Sequence, residues 1–183
     1  MNKIFLQNDQ SIKSDVESLY NSAFPENERP PFFWFYNVFK GTEDNHVIGY
    51  YEEDLFVGFV QYVIYLDCVY ISYLAVSSSM RNQGYGTQIL KDVRQSFPDY
   101  TILLCFEEVE PKYVDYHNRC NRQAFYKRNG YIDNGLKTQE GDVIYQSAYN
   151  GKHRINFATY EKLFDLVYGP GASKRYLKCV KEY

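Results

Sequence analysis

The stretch that most restricts what this chain can fold into is residues 70–96, YISYLAVSSSMRNQGYGTQILKDVRQS. Tyr70–Val76 is a short apolar run suited to a buried strand. Ser77–Gln83 is polar and reads as a turn, and from Gly84 to about Ser96 the apolar residues fall at helical spacing. The first amides of a helix have no partner within it, and the helix dipole adds about half a positive charge there. Gly84 and Gly86 let the atoms of another molecule come close to those amides. Strand, glycine-bearing turn and helix start together form an anion cradle, suited to a phosphate or pyrophosphate.

Two common phosphate-binding patterns do not fit. The dinucleotide fingerprint ends in a small residue so that helix and strand pack closely, and Gly84-Tyr85-Gly86-Thr87-Gln88-Ile89 ends in a β-branched one. This departure, with the antiparallel first half described below, also argues against a nucleotide-binding oxidoreductase. The P-loop needs Gly-Lys-Ser/Thr, which the chain lacks. Taken alone, the turn is compatible with an ordinary strand–turn–helix. However, Leu74-Ala75-Val76 followed by Arg81-Asn82-Gln83-Gly84-Tyr85-Gly86 resembles the Arg/Gln-x-x-Gly-x-Gly/Ala motif of the GNAT superfamily of N-acetyltransferases. Further on, Arg122-Gln123-Ala124-Phe125-Tyr126-Lys127-Arg128-Asn129-Gly130-Tyr131 is similar to that family's second motif, a helix carrying Phe/Leu-Tyr and ending in Gly-Phe or Gly-Tyr. Gly130 is suited to close a helix on its own account, being free to take a positive φ. The resemblance covers about residues 1–150.

The remaining elements fall into a consistent order. Lys3–Gln7 is a short strand, and Ile12, Val16, Leu19 and Tyr20 give Ser11–Ala23 a helical stripe that stops at Pro25. Pro25–Pro31 is a polar, proline-rich loop, Phe32–Phe39 a second helix and Gly41–Asn45 a turn. His46–Tyr51, Leu55–Leu66 and Cys68–Val76 are strands with tight connections, hence an antiparallel meander. The helix after Gly84 ends near Pro98, and Tyr100–Val109 is a strand placed parallel to Cys68–Val76 by a right-handed crossover. Asp115–Asn129 is a helix, and Tyr131–Lys137 pairs with Asp142–Tyr149 across Thr138–Gly141. Phe157–Val167 is an amphipathic helix ended by Gly169-Pro170-Gly171, and the tail with Lys174, Arg175, Lys178 and Lys181 reads as a solvated helix or loop.

Residues 1–183 form one expected domain, with a helical extension over about 151–183. The resemblance implies a mixed α/β fold: a six- to seven-stranded sheet flanked by helices, its fourth and fifth strands splayed apart. It further implies acetyl-CoA as co-substrate, lying in that opening. Its pantetheine would run along Leu74, Ala75 and Val76. Its pyrophosphate would sit on Arg81, Asn82, Gln83, Gly84, Tyr85, Gly86 and Thr87. Family members often place an Asn near the start of the second-motif helix against pantetheine. Asn118 and Asn121 flank that place and Arg119 occupies it.

A net charge of −3 and a pI near 5.6 imply no general affinity for nucleic acid. Cys68, Cys105, Cys120 and Cys179 show no C-x-x-C spacing and the histidines no ligand spacing, so neither a disulfide framework nor a metal is expected. The chain carries no apolar run of about 18 residues and no signal-peptide pattern at Met1, so a cytoplasmic address without membrane attachment is expected. Family members are often homodimers, which the resemblance carries over as an expectation.

Acetylating a primary amine poses two proton problems. An amine with a pKa near 10.4 is neutral in only about one molecule in 2500 at pH 7, so a carboxylate or ordered water must take its proton. Glu108 is the first candidate base and Glu110 the second. Strand alternation puts both on the face of Leu104 and Phe106, where a drier setting raises a carboxylate pKa, with Glu107 on the other face. The alternative is a solvated strand end. Ser72 and Tyr73 stand where some family members carry a carboxylate. The leaving thiolate is the second problem, and Tyr126 matches the tyrosine the family commonly uses as general acid. The resemblance also implies a backbone amide near Val76 for the oxyanion. For the acceptor, Glu26 and Glu28 would attract a cationic amine, with Phe32, Phe33 and Trp34 as pocket walls; the alternative is core aromatics beside a solvated loop. A non-catalytic acyl-CoA sensor on the same fold is the competing reading.

Overall fold

A computed structural model describes residues 1–40 and 43–183. The glycine that opens the turn expected at Gly41–Asn45, and the threonine after it, lie outside the described residues. The strands are β1 (Asn2–Phe5), β2 (Asn45–Glu52), β3 (Leu55–Tyr65), β4 (Cys68–Val76), β5 (Thr101–Glu107), β6 (Ile132–Glu140), β7 (Val143–Asn150) and β8 (Leu177–Lys181). The helices are α1 (Lys13–Ala23), α2 (Phe32–Lys40), α3 (Tyr85–Ser96), α4 (Tyr116–Arg128), α5 (Phe157–Tyr168) and the short α6 (Ala172–Tyr176). Short 3₁₀ turns at Glu26–Glu28 and Ser78–Met80 precede α2 and α3.

The strands form one mixed sheet in the order β1-β2-β3-β4-β5-β7-β6-β8. β2 to β4 are the expected antiparallel meander, β1 adds antiparallel to β2, and β5 joins β4 in parallel because α3 carries the chain across between them. Residues on opposite faces of the sheet feed two cores. On one face α1, α2 and α5 pack Val16, Leu19, Tyr20, Phe35, Phe39, Tyr160 and Leu163 over Phe59 and Val63 of β3. On the other, Ile89, Leu90 and Val93 of α3 cover Val60, Val69, Ile102 and Leu104, joined by Phe125 and Tyr126 of α4. Each such side chain removed from water contributes roughly 1.5–3 kcal/mol.

One irregularity positions the site. Gln61 pairs with Tyr73 but Tyr62 pairs with Ile71, so Ser72 is an extra residue in β4. The bulge breaks the two-residue alternation and turns Tyr73 onto the same face as Tyr70, both in the α1–α2–α5 core. Below Ser72 sits a buried polar cluster: its hydroxyl donates to the Gln61 side chain, Gln61 Nε2 donates to Asn45 Oδ1 at 2.6 Å, and Asn45 Nδ2 to Leu166 O at 3.1 Å. The β4–β5 pairing also ends here, at Ile71–Leu104.

The sheet has eight strands where six to seven were expected. The additional strand comes from the tail, whose Leu177–Lys181 pairs antiparallel with β6. Only Leu177 of that strand is buried, and lysines occupy the exposed edge, so its composition reads as solvated. β6 continues to Glu140 through residues that read as a turn, because Leu136 and Thr138 are buried and Lys137–Glu140 pair with β7 after a register shift that follows Asp133. β5, by contrast, stops at Glu107 rather than near Val109.

Candidate active site

Beyond Ile71 and Leu104 the backbones of β4 and β5 part, and the opening is a cleft of about 980 Å³. One end is framed by the loop between β4 and α3. Gly84, the residue before α3, has φ +85°, and Asn82 has φ +61°. Among the described residues, nothing lies within 4 Å of where a Gly84 Cβ would stand, so the space before the first α3 amides is open. Gly86 has a different reason to be small: a Cβ there would stand 3.1 Å from the Phe125 ring, which would have to give by a few tenths of an ångström. Arg81 Nε donates to Val76 O at 3.1 Å and ties the loop to the strand end.

Leu74, Ala75 and Val76 line this part of the cleft, as do Arg81, Asn82, Gly84, Tyr85, Gly86 and Thr87. Gln83 does not; its side chain donates to Ser79 O at 3.1 Å and braces the loop. Asn118 and Asn121 reach the cleft from α4. Arg119 is withdrawn from it, bonded to Asp115 at 2.7 Å and to Glu108 O at 3.0 Å and stacked on Tyr113.

Tyr126 lines the middle of the cleft, its ring against Phe106 with centroids 5.3 Å apart. Burial pushes its phenol up to about 12, against a smaller opposing effect of Arg122. One turn earlier, Arg122 is ion-paired with the buried Glu107, and both line the cleft.

The far end holds two more carboxylates. Glu28, from the turn before α2, is half-buried, and its Oε2 accepts from Tyr145 OH at 2.8 Å. Burial raises its pKa, and the charge of Glu107 adds to this. Glu140, the last residue of β6, accepts from Tyr160 OH at 2.6 Å and from Thr138 Oγ1 at 3.3 Å. Burial pushes its pKa up to about 7, with Glu28 contributing in the same direction. Tyr73 and Tyr168, with hydroxyls 3.2 Å apart, close this end.

Glu108 is buried, as a drier setting implies, but the expected rise in its pKa is overturned. It lies beyond the end of β5, bonded to Lys137 at 2.8 Å, Lys112 at 3.1 Å and Tyr113 at 2.9 Å, and does not line the cleft. The Lys137 bond, helped by Lys112 and Tyr113, lowers its pKa to about 2 rather than raising it. Glu110 pairs with Lys112 at 3.1 Å, also off the cleft. Phe32 is packed in the core, while Phe33 and Trp34 are 69% and 45% exposed. None of the three lines the cleft, and neither does Glu26.

The acetyltransferase (GNAT) family model matches residues 13–131. The chain belongs to this family. Among solved structures it is similar to a GNAT-family acetyltransferase described from Bacteroides thetaiotaomicron, at 22% identity and TM-score 0.73, covering 92% of this chain and 99% of that one. It is also similar to the aminoglycoside 6'-N-acetyltransferase of Enterococcus faecium, at 16% identity and TM-score 0.61, covering 82% and 96%. A Bacillus subtilis acetyltransferase in complex with CoA aligns at 14% identity and TM-score 0.59, covering 82% and 98%. At these identities the likeness is one of fold. No curated protein sequence matches the chain.

The segment matched to the GNAT family takes in the β4–α3 loop, Tyr126 and Glu28, but ends before Glu140 and Tyr145. Those two residues, with Arg122 and Tyr168, are what sequence reasoning missed. A signal for Glu140 was present in the inward alternation Leu136–Thr138–Glu140, but the polar run around it reads as a turn.

Proposed function

We propose that this GNAT protein transfers an acetyl group from acetyl-CoA to a primary amine by direct attack within a ternary complex. The parting of β4 and β5 at the Ser72 bulge, beside the open amides of α3, carries this reading. The residues fit acetyl-CoA: a Gly84 side chain would fill the space before α3, and among the described residues β4 beyond Ile71 has no strand partner on its β5 side. The α3 amides and Arg81 would hold the pyrophosphate, and Leu74, Ala75, Val76, Asn118 and Asn121 the pantetheine. Acetyl-CoA supplies an acyl carbon already activated as a thioester.

Glu140 is the base in this reading. Making the acceptor amine wholly neutral at pH 7 is worth about 4–5 kcal/mol, and a carboxylate of pKa about 7 exchanges protons readily at that pH. Glu107 is committed to Arg122 and Glu108 to its lysines, so neither is free for this task. Tyr126 serves the leaving sulfur by hydrogen bonding. Giving up its proton outright, from a phenol near 12 to a thiolate of about 8.5, would be uphill by roughly 5 kcal/mol. A backbone amide near Val76 takes the oxyanion.

The test is calorimetric titration with acetyl-CoA, followed by thiol release with a panel of primary amines. Saturable binding and amine-dependent release support the reading. Binding without release for any amine would instead identify an acyl-CoA sensor, and no binding would remove the cleft assignment.

A further inference from the structure

The cleft has two differently charged ends, and the one away from the β4–α3 loop is acidic beyond what its own cations neutralise. Glu28, Glu107 and Glu140 converge there from the turn before α2, from β5 and from the end of β6. One guanidinium, Arg122, answers them and is already bound to Glu107. Arg119 acts on Glu28 from a distance, but it is held by Asp115 and does not line the cleft. Among the described residues, Glu28 and Glu140 are therefore left with hydroxyl donors alone, Tyr145 for one and Tyr160 and Thr138 for the other. Hydroxyls satisfy lone pairs without cancelling charge.

Resting on the acetyl-transfer reading, we infer that the acceptor is a small molecule carrying at least two amino groups and no carboxylate. One ammonium lies against Glu28 while the other amine is presented for acetylation beside Glu140. The tyrosine rings of this end suit such a molecule, since their faces attract ammonium groups and their edges pack methylenes or a sugar ring. A monoamine would leave one of the two carboxylates unmatched. A zwitterionic amino acid would bring its own negative charge against them. Both a linear polyamine and an amino sugar have the required chemistry.

The experiment uses the full chain with saturating CoA, which cannot react, and measures calorimetric affinity for 1,4-diaminobutane, spermidine, kanamycin, n-butylamine and 4-aminobutanoate. At least one of the three polycations is expected to bind roughly 10- to 100-fold more tightly than n-butylamine, and 4-aminobutanoate more weakly still. Which polycation binds best distinguishes the linear chain from the amino sugar. Glu28→Gln, which keeps an acceptor for Tyr145, is expected to reduce the preference over n-butylamine to within about threefold. Glu140→Gln is a second isosteric probe should the first fold poorly. Equal affinity for n-butylamine or 4-aminobutanoate, or no polycation binding, overturns the inference. Turnover of the same panel with acetyl-CoA is scored separately. Polycation preference without turnover would leave the acceptor pocket standing and sink acetyl transfer, while turnover confined to monoamines would do the reverse.

Discussion

The two ends of the cleft are built by different means. The β4–α3 end is mostly backbone: free amides, a left-handed glycine and strand edges, supplied by one continuous stretch of chain. The other end is side chains: Glu28, Glu140, Tyr145 and Tyr168, brought from three separate regions and set into a core of aromatic rings. A backbone site needs few particular residues and recognises a ligand part common to many reactions. A site of converging side chains holds its charges at a cost in burial, and on the acetyl-transfer reading selectivity between acceptors would arise there.

The sharpest way to break this contrast is at the backbone end. Gly84→Glu places a carboxylate where an anion is expected and strains a position at φ +85°. Acetyl-CoA affinity should fall by more than about 100-fold in calorimetry, with the fold unchanged by circular dichroism. Normal binding would show that the diphosphate lies elsewhere. Glu140→Gln should come next, lowering kcat/KM at neutral pH by roughly 30- to 100-fold. In the wild type the rate should rise with pH through about 7 and then level, because the base must be ionised; in the variant that limb should vanish. The same substitution should stabilise the protein. A carboxyl whose folded pKa is raised binds more protons folded than unfolded, so stability is lost as pH rises from about 4.5 through 7. At pH 8 the variant should gain about 2–3 kcal/mol in denaturant titration.

At the junction of the two ends, Tyr126→Phe should lower kcat by about tenfold and leave acetyl-CoA affinity alone, as expected for loss of a hydrogen bond to developing charge. An unchanged kcat would remove this phenol from the chemistry. The smallest effect on rate should come from Glu108→Gln. Here the folded pKa is depressed to about 2, so the carboxylate contributes stability above about 4.5 that is lost as pH falls through 2. The variant should be about 2–3 kcal/mol less stable at neutral pH while kcat changes less than about twofold. The two glutamates at strand ends would then have opposite signs of effect on stability.

Glu108 and Glu140 also show how far a sequence can be read. Alternation along β5 correctly separates Glu107 from its neighbour, but which face opens onto a cleft depends on where β4 and β5 stop pairing. Nothing near Glu108 in the chain announces Lys137, which is 29 residues away and donates its shortest hydrogen bond. Ser72 is similarly silent, an ordinary residue in an apolar strand whose extra place in the ladder turns Tyr73 around. The tail strand β8 was hidden by its lysines, since an edge strand needs only one buried anchor.

Sequence alone determined the meander, the crossover through α3 and the glycine-bearing turn that opens it, because each is a local matter of periodicity, turn chemistry and left-handed backbone over consecutive residues. The tertiary structure alone decided which carboxylates face the cleft and how strongly each holds its proton. Those properties depend on burial and on charges from remote segments: for Glu140, Tyr160 of α5 and Glu28 of the turn before α2.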